Sequence, residues 1–295
     1  MRILVGVDGD GAYESALAWV QALGFAQPQI LLASVIEPPR PPVVGVVAPF
    51  SEEVFVQAME AQSHAMQERL NTLQQRLQAQ GIETETVVLH GQAATRLLEL
   101  AEERAVSLIA LGGTRKGALQ AFFVGSVARA ALTSAKQSLL IAHTPPPTDQ
   151  PLHAVLATDH SEYNSRCIDL LLQFAPTQIE RIAITTAFDL DEETLHLLTR
   201  NAPAFMGAGV EWIIEQLHER NRLVCERLRP LNAACESVVV EGLPIPSIRE
   251  AMEATQSQLL ILGAKGHSLL ERLSLGSVSY HFAVGEPVNL LLLRA

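Results

Sequence analysis

The sequence predicts an α/β protein made of two tandem open parallel sheets, each with five strands and with helices on both faces. One observation behind this prediction is that short apolar runs, such as ILVGV and SLIAL, alternate along the chain with helical segments. Strands that are joined through helices run parallel and are buried on both faces. The other observation is that the whole pattern occurs twice.

The repeat is clearest where aspartate, glycine and serine residues match at one offset. Asp8 corresponds to Asp159, 151 residues later, and each follows a short apolar strand. The same offset pairs Gly91 with Gly242, Gly112 with Gly263, Gly125 with Gly276 and Ser126 with Ser277. The Pro-rich segment HTPPPTDQP separates the copies, so we predict domains at residues 1–145 and 151–295.

Each copy is predicted to have the same order of elements. In the first copy, strand ILVGV, helix AYESALAWVQALG and strand QILLASVIE precede a Pro-rich loop and a long helix from about Ser51 to Gln80, capped by its serine. The second copy repeats this helix up to Asn232, with Asn221 in place of the apolar Leu70. After the long helix, each copy is predicted to continue with a strand, a helix, a second strand and a short helix. The last strand, SLLIAH in the first copy and NLLLLR in the second, completes each sheet.

Composition excludes several classes of function. A formal net charge of −11 and 5% aromatic residues argue against a nucleic-acid partner or an acidic membrane surface. Three cysteines without CxxC spacing indicate a reducing compartment, and no apolar run approaches a membrane span. We therefore expect a cytoplasmic protein.

The stretch LGAKGHSLLERLSLGSVS predicts an anion site after a buried strand. Gly263 and Gly266 let the backbone approach an anion, and Gly276 precedes a helix whose first N–H groups are free to bind one. Ser277 and Ser279 add hydroxyl donors. The alternative is a strand-to-helix connection whose glycines only satisfy turn geometry.

Asp159 is the second candidate site residue. Ligands of open α/β sheets bind outside the carboxyl ends of the strands, where the strand order reverses, and both Asp159 and the glycine stretch are predicted to lie there. A carboxylate accepts a hydrogen bond from an amino group such as that of adenine, or helps to bind a metal. An acid at one end and an anion cradle at the other suit a nucleotide, although Asp159 alone is equally explained as a turn or helix cap.

These motifs resemble those of the universal stress protein family, and the resemblance covers nearly the whole chain as a tandem pair. ATP-binding members carry Gly-x-x-Gly, nine residues, then Gly followed by Ser or Thr, which the second copy has complete. The resemblance implies a Rossmann-like fold of the adenine nucleotide alpha hydrolase type, and ATP, AMP or ADP as ligand with Mg or Mn. It places adenine at Asp159 and at the backbone of Thr186, at the end of strand two. It places ribose and phosphates at Gly263, Gly266, Gly276, Ser277 and Ser279.

The first copy departs from this pattern at two positions. Arg115 stands where the second copy has Gly266, and Ala128 where it has Ser279. If the turn requires a positive φ, Arg115 distorts or obstructs it, so we expect the first copy to bind nucleotide poorly. The alternative is that its guanidinium lies on a phosphate. The hypothesis is one competent site, in the second copy.

The expected role is regulation rather than catalysis. The sequence shows neither a base with a partner nor a GxxxxGK[ST] loop, and its histidines lack HxxxH spacing, so we assign no catalytic and no metal-binding residue. We expect a stress-response protein that acts by ligand-dependent conformation or assembly. The alternatives are a slow ATP hydrolase or related nucleotide-using enzyme, and a ligand-free structural scaffold.

Assembly is expected to involve the apolar last strands, SLLIAHT and VNLLLLRA. An uncovered strand of this kind pairs with another, as it does between protomers in the family that the chain resembles. Here the two copies are expected to pair internally as a pseudo-two-fold dimer, and a further homo-oligomer is left open. Segments 38–50 and 189–209 differ most between the copies, so we expect a lid or an unknown protein partner there.

Overall fold

The computed structural model describes residues 1–38, 52–115, 122–123, 125–189, 205–266 and 275–295. Their contacts group into two compact units, Met1–Ala18 with Gln27–His143 and Trp19–Ala26 with Thr144–Ala295. The domain limits 1–145 and 151–295 stay a prediction. Segments 38–50 and 189–209, expected to hold a lid or a partner, lie largely outside the described residues, as do Ser51 and His267.

The first copy contains five parallel strands in the order β3-β2-β1-β4-β7. The strands are β1 (Arg2–Gly6), β2 (Gln29–Ile36), β3 (Glu83–His90), β4 (Leu108–Gly112) and β7 (Ser138–Ala142). The helices are α1 (Tyr13–Ala22), α2 (Glu52–Gln78), α3 (Ala93–Glu103) and α4 (Ser126–Ser134). A separate antiparallel pair consists of β5 (Thr114–Arg115) and β6 (Phe122–Phe123).

The second copy repeats this order as β10-β9-β8-β11-β12. The strands are β8 (Leu152–Ala157), β9 (Ile179–Phe188), β10 (Ala234–Glu241), β11 (Leu259–Gly263) and β12 (Asn289–Leu293). The helices are α5 (Glu162–Phe174), α6 (Phe205–Leu228), α7 (Pro244–Ala254) and α8 (Ser277–Gly285). The predicted class, two parallel five-stranded α/β sheets, is confirmed.

Burial explains why the apolar runs form the central strands. Every residue of β11 is buried, because a parallel strand in the middle of an α/β sheet is covered on both faces. The edge strand β10 alternates half-buried and exposed residues over its first half. No helix of the described residues is both long and apolar enough to cross a membrane.

The end of the long helix in the second copy was predicted correctly. Helix α6 ends at Leu228, a short 3-10 turn follows, and Asn232 then adopts the left-handed conformation with φ 58°. Asparagine tolerates this conformation better than most residues, which is why it stands where other helices end in glycine.

The strand order reverses at β8 in the second copy. Strand β8 pairs with β9 on one side and with β11 on the other, so the loops that follow β8 and β11 diverge to opposite sides. This is the topological switch point at which open α/β sheets leave a crevice. Both candidate motifs, Asp159 and the glycine stretch, follow these two strands.

Candidate functional site

A cavity of about 340 Å³ opens at the carboxyl ends of β8 and β11. Its volume lies within the usual range for small-molecule sites, about 300–1,000 Å³. Much of its wall is apolar and comes from strand ends and from the starts of α7 and α8: Ala157, Ala187, Pro244, Ile248, Leu262 and Val278. Asp159 and Lys265 supply charged groups. The cavity therefore has an apolar surface and a few polar groups, which suits a flat and largely apolar ligand.

The glycine stretch lines one side of this cavity. Gly263 ends β11, and Gly276 immediately precedes α8. The N–H of Gly276 donates to the carbonyl oxygen of Ala264 at 2.8 Å, which brings the two ends of the stretch together. Ser277, the first residue of α8, is exposed at the cavity wall, where the first-turn N–H groups of a helix attract anions.

Gly263 and Gly266 are needed because a side chain would be crowded there, and not because the backbone adopts a left-handed conformation. A Cβ on Gly266 would lie 3.1 Å from Asp159 Oδ2, and a Cβ on Gly263 would lie 3.3 Å from Cys167 Sγ. Neither glycine has a φ in the left-handed region. The expectation that Arg115 disturbs a positive-φ turn is therefore wrong in its premise, and Arg115 itself lies in the extended pair β5–β6.

Asp159 lies in the loop between β8 and α5. Its Oδ1 accepts a hydrogen bond from the N–H of Ser161 at 2.9 Å, and Ser161 Oγ in turn accepts from the N–H of Asn164 at 3.1 Å, capping α5. Asp159 thus makes the turn expected of it and also lines the cavity.

The residue after Asp159 is strained. His160 has φ 55°, a region that costs a residue with a side chain on the order of 1–3 kcal/mol. Its N–H donates to Thr158 Oγ1 at 3.0 Å, and its Nε2 lies 3.0 Å from Thr186 Oγ1. These contacts hold the loop in a conformation that the isolated chain would rarely adopt.

Two predicted site residues make internal contacts. Ser279 is buried, and its hydroxyl donates to the carbonyl oxygen of Gly263 at 2.7 Å, so it joins α8 to the last residue of β11. Thr186 does not line the cavity, and its hydroxyl donates to Asn221 Oδ1 at 2.8 Å. Its neighbours Thr185 and Ala187 line the cavity because successive strand residues face opposite sides of a sheet.

Asn164 is a cavity residue that the sequence analysis missed. It is 5% exposed, it lines the cavity, and its Oδ1 has no hydrogen-bond partner among the described residues. A buried amide oxygen without a partner costs about 1–3 kcal/mol. The available signal was a polar residue in the first turn of α5, at the position where the first copy has Tyr13.

Cys167 lies beneath the cavity on α5. It is 1% exposed, its Sγ donates to the carbonyl oxygen of Leu293 at 3.6 Å, and burial raises its pKa to about 11. The thiol therefore stays neutral near pH 7, and a neutral thiol is a poor nucleophile. Its packing under Gly263 explains part of the need for glycine there.

In the first copy, backbone of the loop between β1 and α1 lies against the end of β4. A Cβ on Gly112, the match of Gly263, would overlap with the carbonyl oxygen of Ala12. Asp8 Oδ1 accepts from the N–H groups of Gly11 at 2.8 Å and of Ala12 at 3.1 Å. Arg69 Nη1 donates to the carbonyl oxygens of Asp8 at 3.2 Å and Gly9 at 3.1 Å. The loop thus closes over the end of β4.

Comparison with known proteins agrees with the repeated fold. The model of the universal stress protein family matches residues 1–143 and again residues 153–294. The chain belongs to the universal stress protein family. It is a tandem member with two domains of that family, as the resemblance in its motifs predicted.

Similar proteins include both sequences and solved structures. A universal stress protein of Mycolicibacterium smegmatis is 23% identical over 99% of this chain and 96% of its own length. The crystal structure of a universal stress protein from Archaeoglobus fulgidus covers 99% of this chain and 98% of its own, with a TM-score of 0.66 and 17% identity. One from Pseudomonas aeruginosa covers 99% and 92%, with a TM-score of 0.66 and 13% identity. At these identities the structures establish the fold.

Proposed function

We propose that this universal stress protein binds an adenine nucleotide in the cavity of its second copy. The observation that carries the proposal is the division of the cavity into an apolar wall beside Asp159 and a glycine stretch that ends at the start of α8. The apolar wall suits the faces of a purine ring. Asp159 Oδ2 would accept a hydrogen bond from the adenine amino group.

The phosphates would lie along the glycine stretch. Gly266 and Gly276 keep side chains out of the path, and Ser277 adds a hydroxyl at the N-terminus of α8. Lys265, on the same wall, adds positive charge. ATP is the nucleotide that we propose, with ADP and AMP as alternatives, because a base and a phosphate are the features that these groups recognise.

Mg²⁺ or Mn²⁺ would accompany ATP mainly as a ligand of its phosphates. Within the described ranges, no group of three or more His, Cys, Asp or Glu side chains is arranged to hold a metal ion. A cation that prefers oxygen ligands could still be shared between phosphates, water and the hydroxyl of Ser277. Its charge would offset repulsion between the phosphates and the carboxylate of Asp159.

The proposed role of nucleotide is to stabilise one conformation or assembly of the protein in the stress response. Asp159 is the one carboxylate among the described residues that line the cavity, and its Oδ1 already accepts from the N–H of Ser161. Fast hydrolysis requires a group that orients the attacking water. Slow hydrolysis is the alternative, and pairing of the last strands, a homo-oligomer and a protein partner stay predictions.

Calorimetric titration of Mg·ATP tests the proposal, with phosphate release followed in the same samples. We expect about one equivalent to bind and little phosphate to be released. Ser277→Glu should abolish binding, because it places a carboxylate where the phosphates lie, while a glutamate at the start of a helix does not destabilise it. Ser126→Glu is the matched control in the first copy and should leave binding unchanged. Absence of binding by any adenine nucleotide would instead support a ligand-free scaffold.

A further inference from the structure

A chain of buried polar side chains runs from helix α6 to the loop that carries Asp159. Asn221, fully buried on α6, donates from Nδ2 to the carbonyl oxygens of Ile184 at 3.1 Å and Val238 at 3.2 Å. Its Oδ1 accepts from the hydroxyl of Thr186 at 2.8 Å, and Thr186 Oγ1 lies 3.0 Å from His160 Nε2. The chain therefore links α6, the neighbouring strands β9 and β10, and the loop after β8.

The direction of each hydrogen bond follows from the donors that are available. Both hydrogens of the Asn221 amide nitrogen go to carbonyl oxygens, so its Oδ1 is an acceptor. The single hydrogen of the Thr186 hydroxyl goes to that oxygen. His160 Nε2 must then carry a hydrogen and donate it to Thr186 Oγ1. The chain thereby selects the Nε2–H tautomer of His160 and fixes the orientation of its ring.

His160 transmits this restraint to the backbone that presents Asp159. It directly follows Asp159, and its φ of 55° sets the direction in which the loop enters α5. Because a residue with a Cβ adopts this φ only when other contacts hold it there, the side-chain bond to Thr186 maintains the loop conformation. The same loop conformation places Asp159 at the cavity.

The first copy lacks the polar chain and has a different loop. At the three equivalent positions it has Gly9, Val35 and Leu70, none of which can form these bonds. Its positive φ occurs at Gly11 instead, and α1 begins at Tyr13, the match of Asn164, whereas α5 begins two positions earlier. The absence of the three polar side chains coincides with the loop that closes over Gly112.

We infer that His160, Thr186 and Asn221 are positioning residues that hold the β8–α5 loop open, so that Asp159 faces a bound nucleotide. The inference rests on the proposed function of the cavity. None of the three side chains lines the cavity, and Thr186 on β9 contacts Asn221 of α6 instead.

A pair of substitutions at Thr186 separates positioning from general stability. Thr186→Val keeps the shape of the side chain and removes the hydroxyl, and we expect it to weaken Mg·ATP binding about tenfold. Thr186→Ser keeps the hydroxyl and should bind like the wild type. Val35→Thr is the matched change in the first copy and should leave affinity unchanged. Equal affinity of Thr186→Val and wild type would overturn the inference.

Nitrogen NMR of the His160 ring, without nucleotide, tests the loop independently of binding. We expect the Nε2–H tautomer and slow exchange of the Ser161 amide in the wild type, and loss of both in Thr186→Val. If the wild type fails to bind ATP, the proposed function is rejected while these signals still decide whether the chain positions the loop. Unchanged signals in Thr186→Val would reject the positioning role even if ATP binds.

Discussion

The loops after β1 and after β8 both have an aspartate as their second residue, yet their structures differ. In the first copy the carboxylate of Asp8 accepts two backbone N–H groups of its own loop, and the carbonyl oxygen of Ala12 lies against Gly112. In the second copy the carboxylate of Asp159 accepts the N–H of Ser161, and a cavity remains beside Gly263. An aspartate and a glycine at matching positions therefore do not by themselves give the two loops the same structure.

The difference arises from residues that lie outside the motif. The loop of the second copy is held by His160 and by its buried partners Thr186 and Asn221, which come from a strand and a helix further along the chain. The first copy has apolar residues at the last two positions: Leu70 is fully buried and Val35 is half-buried. Loop shape thus depends on whether the core beneath it contains polar groups.

The largest expected effect is a loss of stability when the equivalent residues Leu70 and Asn221 are each replaced by the other copy's residue. Leu70 is fully buried, so Leu70→Asn would bury an amide without Thr186 or an equivalent partner. We expect a loss of about 3 kcal/mol in the free energy of unfolding, measured by urea denaturation. Asn221→Leu should cost less, because the introduced side chain is apolar and the main unpaired group that remains is the hydroxyl of Thr186. Equal losses in the two variants would contradict this explanation.

The next largest effect should come from a side chain within the glycine stretch. Gly266→Arg places a Cβ 3.1 Å from Asp159 Oδ2 and draws the guanidinium to that carboxylate. We expect at least about a hundredfold loss of Mg·ATP affinity by calorimetry, or about 2.7 kcal/mol. Gly266→Ala adds only the Cβ and is the control, with a smaller loss. Wild-type affinity in the arginine variant would mean that ATP binds elsewhere.

A smaller effect is expected from the carboxylate itself. Asp159→Asn keeps an oxygen for the N–H of Ser161 but replaces the acceptor at Oδ2, so ATP affinity should fall about tenfold. Inosine triphosphate lacks the adenine amino group, and the preference of the wild type for ATP over it should shrink in this variant. Asp8→Asn is the matched control in the first copy. A preference that persists in Asp159→Asn would assign adenine recognition to another group.

The smallest effect concerns the residue that first distinguished the two copies. Arg115→Gly restores the glycine of the motif but leaves the carbonyl oxygen of Ala12 against Gly112. We therefore expect calorimetric stoichiometry to stay near one equivalent of ATP. A rise toward two equivalents would show that the arginine, and not the loop, closes the first site.

Several features of the site were accessible from the sequence and others were not. The placement of Asp159 and Gly263 at the ends of adjacent strands followed from parallel topology, and the structure confirms this arrangement. The backbone of Thr186 was expected at the ligand, and this stays a prediction. Its side chain does not line the cavity, because successive residues of a strand face opposite sides of the sheet. Asn164 was missed because one polar residue in a helix carries no signal of burial.

By itself the sequence determined the fold class, the repeat and the family of this protein. Periodicity and spacing are local properties, and a short run such as LLIL already specifies a buried strand. Only the tertiary structure showed that a cavity lies beside Gly263 in the second copy and why the glycines there are needed. These outcomes depend on contacts between residues that are far apart in the sequence, such as Ala12 with Gly112 and Thr186 with Asn221. A local sequence pattern does not show which distant residues come into contact.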